Sequence, residues 1–169
     1  MKLLKIAFCV LCFVCAGLVY ADEDTRSHGS CKYCGMDRQT FGHSRMLLEY
    51  TDGTSAGTCS IHCTTIELVS QAGMVPCTVK VGDYHSRKLI DAYKAFWVIG
   101  GSKQGVMTSR AKWAFQHEQE AREFVRQYGG GIGNFYLALK AAFEDLHEEV
   151  RLTLQRTETR QERGVRLCK

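Results

Sequence analysis

The chain has 169 residues, of which 45% are hydrophobic and 24% are charged, so it is long and apolar enough to fold around a packed core. Its formal net charge is +4, from 22 Lys and Arg against 18 Asp and Glu. No dense basic run with interleaved aromatic residues occurs in the sequence, and we therefore expect no binding to nucleic acid.

The first 21 residues have the pattern of a secretory signal peptide. Two lysines precede an apolar stretch at residues 6–18, which is too short to span a membrane, and Val19-Tyr20-Ala21 suits a cleavage point. We therefore expect export to the periplasm. Cys15 is not preceded by the small residues of a lipobox, so we expect no lipid anchor; lipidation there would add an association with the membrane.

Composition divides the remaining chain into three parts. Residues 22–30 are polar and are expected to form a flexible leader. Residues 31–155 are predicted to form one domain of two units, at about 31–84 and 85–155. The charged residues 156–169 are expected to form a frayed tail.

The first unit is predicted to contain a hairpin, a helix and a further strand. Strands are predicted at 45–50 and 54–58, because Asp52-Gly53 between them is typical of a hairpin turn. Ser60 is a suitable N-cap for a helix that runs to about Gln71. Residues 76–81 alternate well enough to form the next strand.

The second unit repeats the order of two strands and a helix. We predict a turn or short helix at 89–93, strands at 95–99 and 112–115, and a helix at 118–128. A long amphipathic helix follows. The sequence therefore predicts an α+β fold of two small ββα-type units with a long C-terminal helix.

Six cysteines remain after the signal peptide is removed, and two pairs of them have a spacing that suits a metal. Of the other two, Cys77 is expected to be a buried strand residue or a disulfide partner, and Cys168 in the charged tail is expected to be free. Cys31-x-x-Cys34 places two sulfurs where one ion can bridge them, and Met36 adds a thioether nearby. Soft sulfur donors select Cu(I) over harder ions. Cys59 and Cys63 are four residues apart at the start of the predicted helix, so both sulfurs face the same side. His62 points to another side of that helix and is expected to face solvent.

The cysteine pattern leaves other interpretations open. Four thiols are also the donor set of a structural zinc site, and in an oxidising compartment they can form disulfides. Cys31 and Cys34 have the spacing of a thiol-disulfide oxidoreductase, but no helix N-terminus that would lower a thiol pKa follows them. The sequence has no catalytic triad or phosphate-binding loop, and we predict that it is not an enzyme.

An ordered set of motifs over residues 30–140 resembles the NosL family. The set comprises Cys34-Gly35-Met36, Asp52-Gly53, Cys59-x-x-x-Cys63, Asp83-Tyr84, Asp91-Ala92-x-Lys94-Ala95-x-Trp97-Val98 and the segment from Gly101-Ser102 to Met107. NosL proteins are exported copper accessory proteins of nitrous oxide reductase. The resemblance implies two ββα-type units similar to the organomercurial lyase fold.

The resemblance also implies a ligand set and a partner. It points to Cu(I) held by Cys34, Met36 and Met107, with delivery to a copper-receiving enzyme such as nitrous oxide reductase or to its assembly machinery. The family's Pro-Met-Gly loop is reduced here to the methionine of Val106-Met107-Thr108. Cys31 is an additional residue that adds or replaces a ligand. The candidate metal ligands are Cys31, Cys34, Met36, Met107, Cys59 and Cys63.

Overall fold

The computed structural model describes residues 23–162, which form four helices and seven strands. In chain order these are α1 (Glu23–Ser27), β1 (Met46–Tyr50), β2 (Ser55–Thr58), α2 (Ile61–Ser70), β3 (Pro76–Gly82), β4 (Leu89–Asp91), β5 (Phe96–Ile99), β6 (Lys112–Phe115), α3 (Glu118–Tyr128), β7 (Gly131–Gly133) and α4 (Phe135–Glu162). The predicted signal peptide and Cys168 lie outside the described residues.

The first unit is a four-stranded antiparallel sheet with the order β2-β1-β3-β4. Met46 on the central strand β1 pairs with Thr58 on one side and Val81 on the other. Side chains alternate between the two faces of a strand, and Met46, Leu48 and Tyr50 therefore all enter the main core.

Local signals set the hairpin and the start of the first helix. Gly53 adopts a φ of 84°, which glycine tolerates, and the Asp52 carboxylate accepts a hydrogen bond of 2.9 Å from the backbone N–H of Thr54. Ser60 lies at the N-cap position of α2, as predicted, although its side chain makes no capping hydrogen bond. The hairpin places the start of α2 directly after β2.

The second unit is a three-stranded antiparallel sheet with the order β6-β5-β7. Trp97 on β5 is 1% exposed and packs in the same core as Leu48 and Val81 of the first sheet. Phe135 and Ala138 at the start of α4 complete that core. The two units therefore share one core, and the predicted α+β class with a long C-terminal helix is confirmed.

The segment expected to form a flexible leader is instead held against the first sheet. Residues 23–27 form α1, and Asp24 is buried. The Asp24 carboxylate lies 2.9 Å from Nη2 of Arg38 and 2.9 Å from Nε of Arg45. The polar composition of the segment predicts a flexible leader. The fold orders it because Arg38 and Arg45, which follow it in the chain, neutralise the buried carboxylate of Asp24.

Strand pairing and helix length produce three further differences from the predictions. Leu89–Asp91 is a strand paired with β3 rather than a turn or helix, and Gly131–Gly133 forms an unpredicted strand beside β5. The tail expected to fray from residue 156 continues α4 as far as Glu162. A strand of three residues is too short to show an alternating pattern in the sequence, and it forms because its backbone pairs with a neighbouring strand.

Within residues 23–162, none of the helices is both long and apolar enough to cross a membrane.

Candidate metal centre

The first cysteine pair lies on a tight turn that is fixed to the first sheet. The backbone N–H of Cys31 donates to the carbonyl of Met36 at 2.8 Å, and Gly35 donates back to Cys31 at 3.0 Å. Gly35 has a φ of 74°, which closes the turn. The N–H of Lys32 donates to the carbonyl of Gly57 on β2 at 3.0 Å, so the turn lies against the end of this strand.

The second cysteine pair lies where β2 leads into α2. Cys59 follows the last residue of β2, and its carbonyl accepts a 2.8 Å hydrogen bond from the hydroxyl of Ser44. Cys63 is in the first turn of α2, four residues later, whereas Cys59 lies before the N-cap residue Ser60, so the two cysteines do not share a helix face as predicted. Both side chains are buried, at 0% and 1% exposure.

The fold brings the four sulfurs together. The sulfur atoms of Cys31, Cys34, Cys59 and Cys63 all lie within 4.8 Å of one another. Cys34 Sγ is 3.4 Å from Cys59 Sγ, which is in turn 3.7 Å from Cys63 Sγ. These separations exceed a disulfide bond length of about 2.0 Å, and all four are free thiols. The arrangement offers four sulfur donors to one ion.

The four thiols differ in exposure, and the pKa values of Cys34, Cys59 and Cys63 are shifted in different directions. Cys34 is exposed, whereas the other three are buried. Hydrogen bonding from Cys63, aided by Cys34, lowers the pKa of Cys59 to about 6. Partial burial raises the pKa of Cys34 to about 11, and hydrogen bonding to Cys59 raises the pKa of Cys63. One thiolate at Cys59 is thus stabilised by its protonated neighbours.

The two candidate thioethers have one cavity in common. Met36 packs directly against the buried cysteines, as does Val106, the neighbour of Met107. Met36 and Met107 both line an open cavity of about 640 Å³, together with His43 and Trp113. Met107 is 42% exposed and has a φ of 57°, a conformation that a methionine rarely adopts.

Other residues singled out in the sequence have different positions from those expected. His62, expected to face solvent, is 6% exposed, with its Nε2 atom 3.9 Å from Oε2 of Glu149 on α4. Cys77, expected to be buried or in a disulfide, is an exposed free thiol on β3. A thiol-disulfide oxidoreductase needs a cysteine with a lowered pKa, whereas the pKa of Cys34 is raised.

One buried residue beside the cluster belongs to none of the motifs found in the sequence. Glu67 on α2 is fully buried, and its carboxylate contacts both residues that separate Cys31 from Cys34. Its position four residues after Cys63, on the same helix face, was the available signal. The identity of its partners depends on the tertiary fold.

Comparisons with known proteins identify similar chains. The family model described as NosL matches residues 23–143. The crystal structure of the copper chaperone NosL from Shewanella denitrificans is similar with a TM-score of 0.50 and 24% sequence identity. The similarity covers 63% of this chain and 86% of that one. None of the curated proteins matches the chain significantly.

Proposed function

This chain belongs to the NosL family, and we propose that it is a Cu(I) chaperone that binds the ion through its cysteine cluster and delivers it to a copper enzyme. The observation that carries the proposal is the convergence of four free thiols within 4.8 Å, one of them exposed. Thiolate and thioether donors favour Cu(I) over harder ions. The proposed activity is metal binding and transfer, without a catalysed covalent reaction.

Cargo exchange requires a ligand that an incoming donor can displace. Cys34 is the exposed thiol of the cluster, whereas the sulfurs of Cys59 and Cys63 are almost fully buried. An acceptor ligand would therefore approach on the Cys34 side and displace that sulfur first. Met36 and Met107 line the adjacent cavity and would supply further soft donors during the exchange.

The proposed setting is outside the cytoplasm. The signal-like pattern of residues 1–21 supports export. The similar structure from Shewanella denitrificans is that of a copper chaperone, which supports copper as the cargo. We propose that the acceptor is a periplasmic copper enzyme such as nitrous oxide reductase, or the machinery that assembles it.

Anaerobic titration with a chromophoric Cu(I) competitor tests the site. Wild-type protein is expected to bind one Cu(I) tightly. Cys34→Ser is expected to weaken binding by more than the roughly 10- to 100-fold that loss of an outer-shell partner costs, because it removes a donor. Cys34 is exposed, so the substitution leaves the core intact.

Cys77→Ser is the matched control for this titration. Cys77 is also an exposed free thiol, but it lies on β3 and is not part of the thiol cluster. Its loss is expected to leave Cu(I) affinity unchanged. Equal affinity in wild type and Cys34→Ser, or an equal decrease in both variants, would contradict the proposal.

Resident zinc is a second candidate occupant, since four cysteine sulfurs are the donor set of structural zinc sites. In that case the protein would be a zinc-stabilised binding module. Metal analysis of protein purified without added copper distinguishes the two. Stoichiometric zinc that resists both a chelator and Cu(I) would favour the structural role, whereas zinc-free protein that takes up Cu(I) favours the chaperone.

A further inference from the structure

Glu67 is a buried carboxylate that the proposed copper chemistry leaves unused. Its side chain is fully buried on α2, one helical turn after Cys63. An isolated buried carboxylate is strongly unfavourable unless it is paired and hydrogen-bonded. The groups that satisfy it therefore indicate what it does.

Three donors from other elements satisfy the carboxylate. Lys32 Nζ lies 2.8 Å from Oε2, and the hydroxyl of Tyr33 donates to the same oxygen at 2.5 Å. The hydroxyl of Tyr50 on β1 donates to Oε1 at 2.9 Å. Burial acts to raise the pKa of Glu67, but these donors hold it below the usual value, so the group is ionised.

The identity of the donors connects the carboxylate with the thiols. Lys32 and Tyr33 are the two residues between Cys31 and Cys34, and Glu67 is on the helix that presents Cys63. A single carboxylate therefore fastens the turn that carries one cysteine pair to the helix that carries part of the other. Tyr50 in turn fixes that carboxylate to the central strand of the sheet.

We propose that Glu67 is a positioning residue that holds the Cys31–Cys34 turn over Cys59 and Cys63, so that the four sulfurs reach one ion. This inference deepens the proposed function, since it concerns the same thiol cluster. Groups that orient metal ligands without touching the metal typically change affinity about 10- to 100-fold when removed.

Glu67→Gln tests the proposal with little change in shape. The neutral amide makes no ion pair with the ammonium of Lys32. It has one acceptor oxygen, whereas the two tyrosine hydroxyls donate hydrogen bonds to two different oxygens of the carboxylate. We expect Cu(I) affinity to fall about 10- to 100-fold in the competitor titration, under conditions where thermal melting shows the variant to be folded. Unchanged affinity would overturn the proposal.

Asp83→Asn is the matched control for loss of a buried carboxylate. Asp83 is 2% exposed and accepts hydrogen bonds from Ser86 and Gln116, with no contact to the thiol cluster. It is expected to lower the melting temperature without changing Cu(I) affinity. An equal decrease in affinity for both variants would reduce the effect of Glu67 to general stability and overturn the proposal.

A copper-independent measurement separates this proposal from the chaperone function. Diamide accepts two electrons and two protons from a thiol pair, becoming a hydrazine while the Cys34–Cys59 disulfide forms. The sulfurs start 3.4 Å apart, so wild type should close this bond rapidly, and Glu67→Gln should close it more slowly. Peptide mapping after a timed quench measures the rate in a Cys77→Ser background.

The two readouts together assign any failure. If wild type binds no Cu(I) while Glu67→Gln still slows disulfide formation, the positioning role holds and the chaperone proposal fails. If wild type binds Cu(I) and Glu67→Gln matches its affinity, the positioning role fails; if wild type binds no Cu(I), an equal rate of disulfide formation in the two proteins has the same meaning. Should Glu67→Gln not fold, Lys32→Met combined with Tyr33→Phe removes the same two contacts from the turn side and is expected to show both defects.

Discussion

Among residues 23–162, two residues other than glycine adopt a left-handed backbone conformation. Met107 has a φ of 57° and Arg87 a φ of 60°, and both line the cavity beside the thiol cluster. Such conformations cost on the order of 1–3 kcal/mol and tend to persist at functional sites. Met107 is also 42% exposed, which offers an apolar side chain little stabilisation from packing.

Met107→Asn separates strain from metal binding. Asparagine tolerates the left-handed region, so the substitution is expected to stabilise the fold by about 1 kcal/mol, or raise the melting temperature by about 2–4 °C. If Met107 is a Cu(I) donor, the same change should weaken binding, because an amide oxygen is a hard ligand. Thermal melting and the competitor titration measure the two effects.

Arg87→Asn relieves a similar backbone strain in the same cavity without removing a soft donor. It should raise the melting temperature to a similar extent and leave Cu(I) affinity unchanged. Full affinity in Met107→Asn would exclude Met107 from the ligand set and leave the four thiols and Met36 as the candidates.

The helix α1 and the segment that follows it depend on one buried ion cluster. Arg38 is fully buried and donates to the Asp24 carboxylate and to the carbonyls of Thr58 and Met46, at 2.9–3.1 Å. Burial acts to raise the pKa of Asp24, but Arg45 and Arg38 hold it below its ordinary value of 3.8. The segment leading to the first cysteine turn is thereby held on β1 and β2.

Asp24→Asn is expected to destabilise the protein by about 3–5 kcal/mol at neutral pH, since it leaves two buried guanidinium groups without their counter-ion. A carboxyl with a lowered folded-state pKa stabilises the fold fully above its unfolded pKa. In wild type this contribution should be complete above pH 3.8 and disappear as pH falls through the lower folded-state pKa. Urea unfolding from pH 7 to pH 3 measures it.

The variant should lack this acid-dependent loss. Glu118→Gln serves as the control, because Glu118 pairs with Arg122 on the exposed surface of α3. Exposed pairs of this kind contribute little to stability. An Asp24→Asn protein as stable as Glu118→Gln would show that the leader segment is not held by this cluster.

The two sheets of the molecule share the core around Trp97, and the thiols of the metal site come from two segments that are far apart in the sequence. One segment is the Cys31–Cys34 turn, and the other is the junction of β2 and α2, which carries Cys59 and Cys63. These segments are close together only in the folded chain. A ligand that bridges them therefore binds the native state preferentially and stabilises it by mass action.

Cu(I) is accordingly expected to raise the melting temperature under anaerobic conditions. At a free concentration 100 times the dissociation constant the stabilisation is about 2.7 kcal/mol, which corresponds to an increase of about 5–11 °C for a protein of this length. Differential scanning calorimetry with buffered Cu(I) measures it. Cys34→Ser should show a smaller increase and Cys77→Ser the full one; no increase in wild type would contradict binding to the folded cluster.

Local sequence patterns were sufficient to predict most helices and strands and the sulfur ligands of the metal site. The Asp52-Gly53 turn, the strand at 112–115 and the helix at 118–128 follow from turn chemistry and from hydrophobic periodicity, which act between neighbours in the chain. The two cysteine pairs and Met36 identified soft-metal chemistry from residue type and spacing. The edge strands β4 and β7 did not follow, because partner backbones define them.

The meeting of the two cysteine pairs depended on the fold, since residues 35–58 separate Cys34 from Cys59 and only strand pairing returns the chain to close that distance. The same holds for Glu67 and Asp24, whose burial is tolerable only because cations and hydroxyls distant in sequence surround them. Donor chemistry is a property of single residues, whereas the geometry of a site and the neutralisation of buried charge are properties of contacts between segments. The former was therefore evident in the amino-acid sequence, and the latter required the three-dimensional arrangement of the chain.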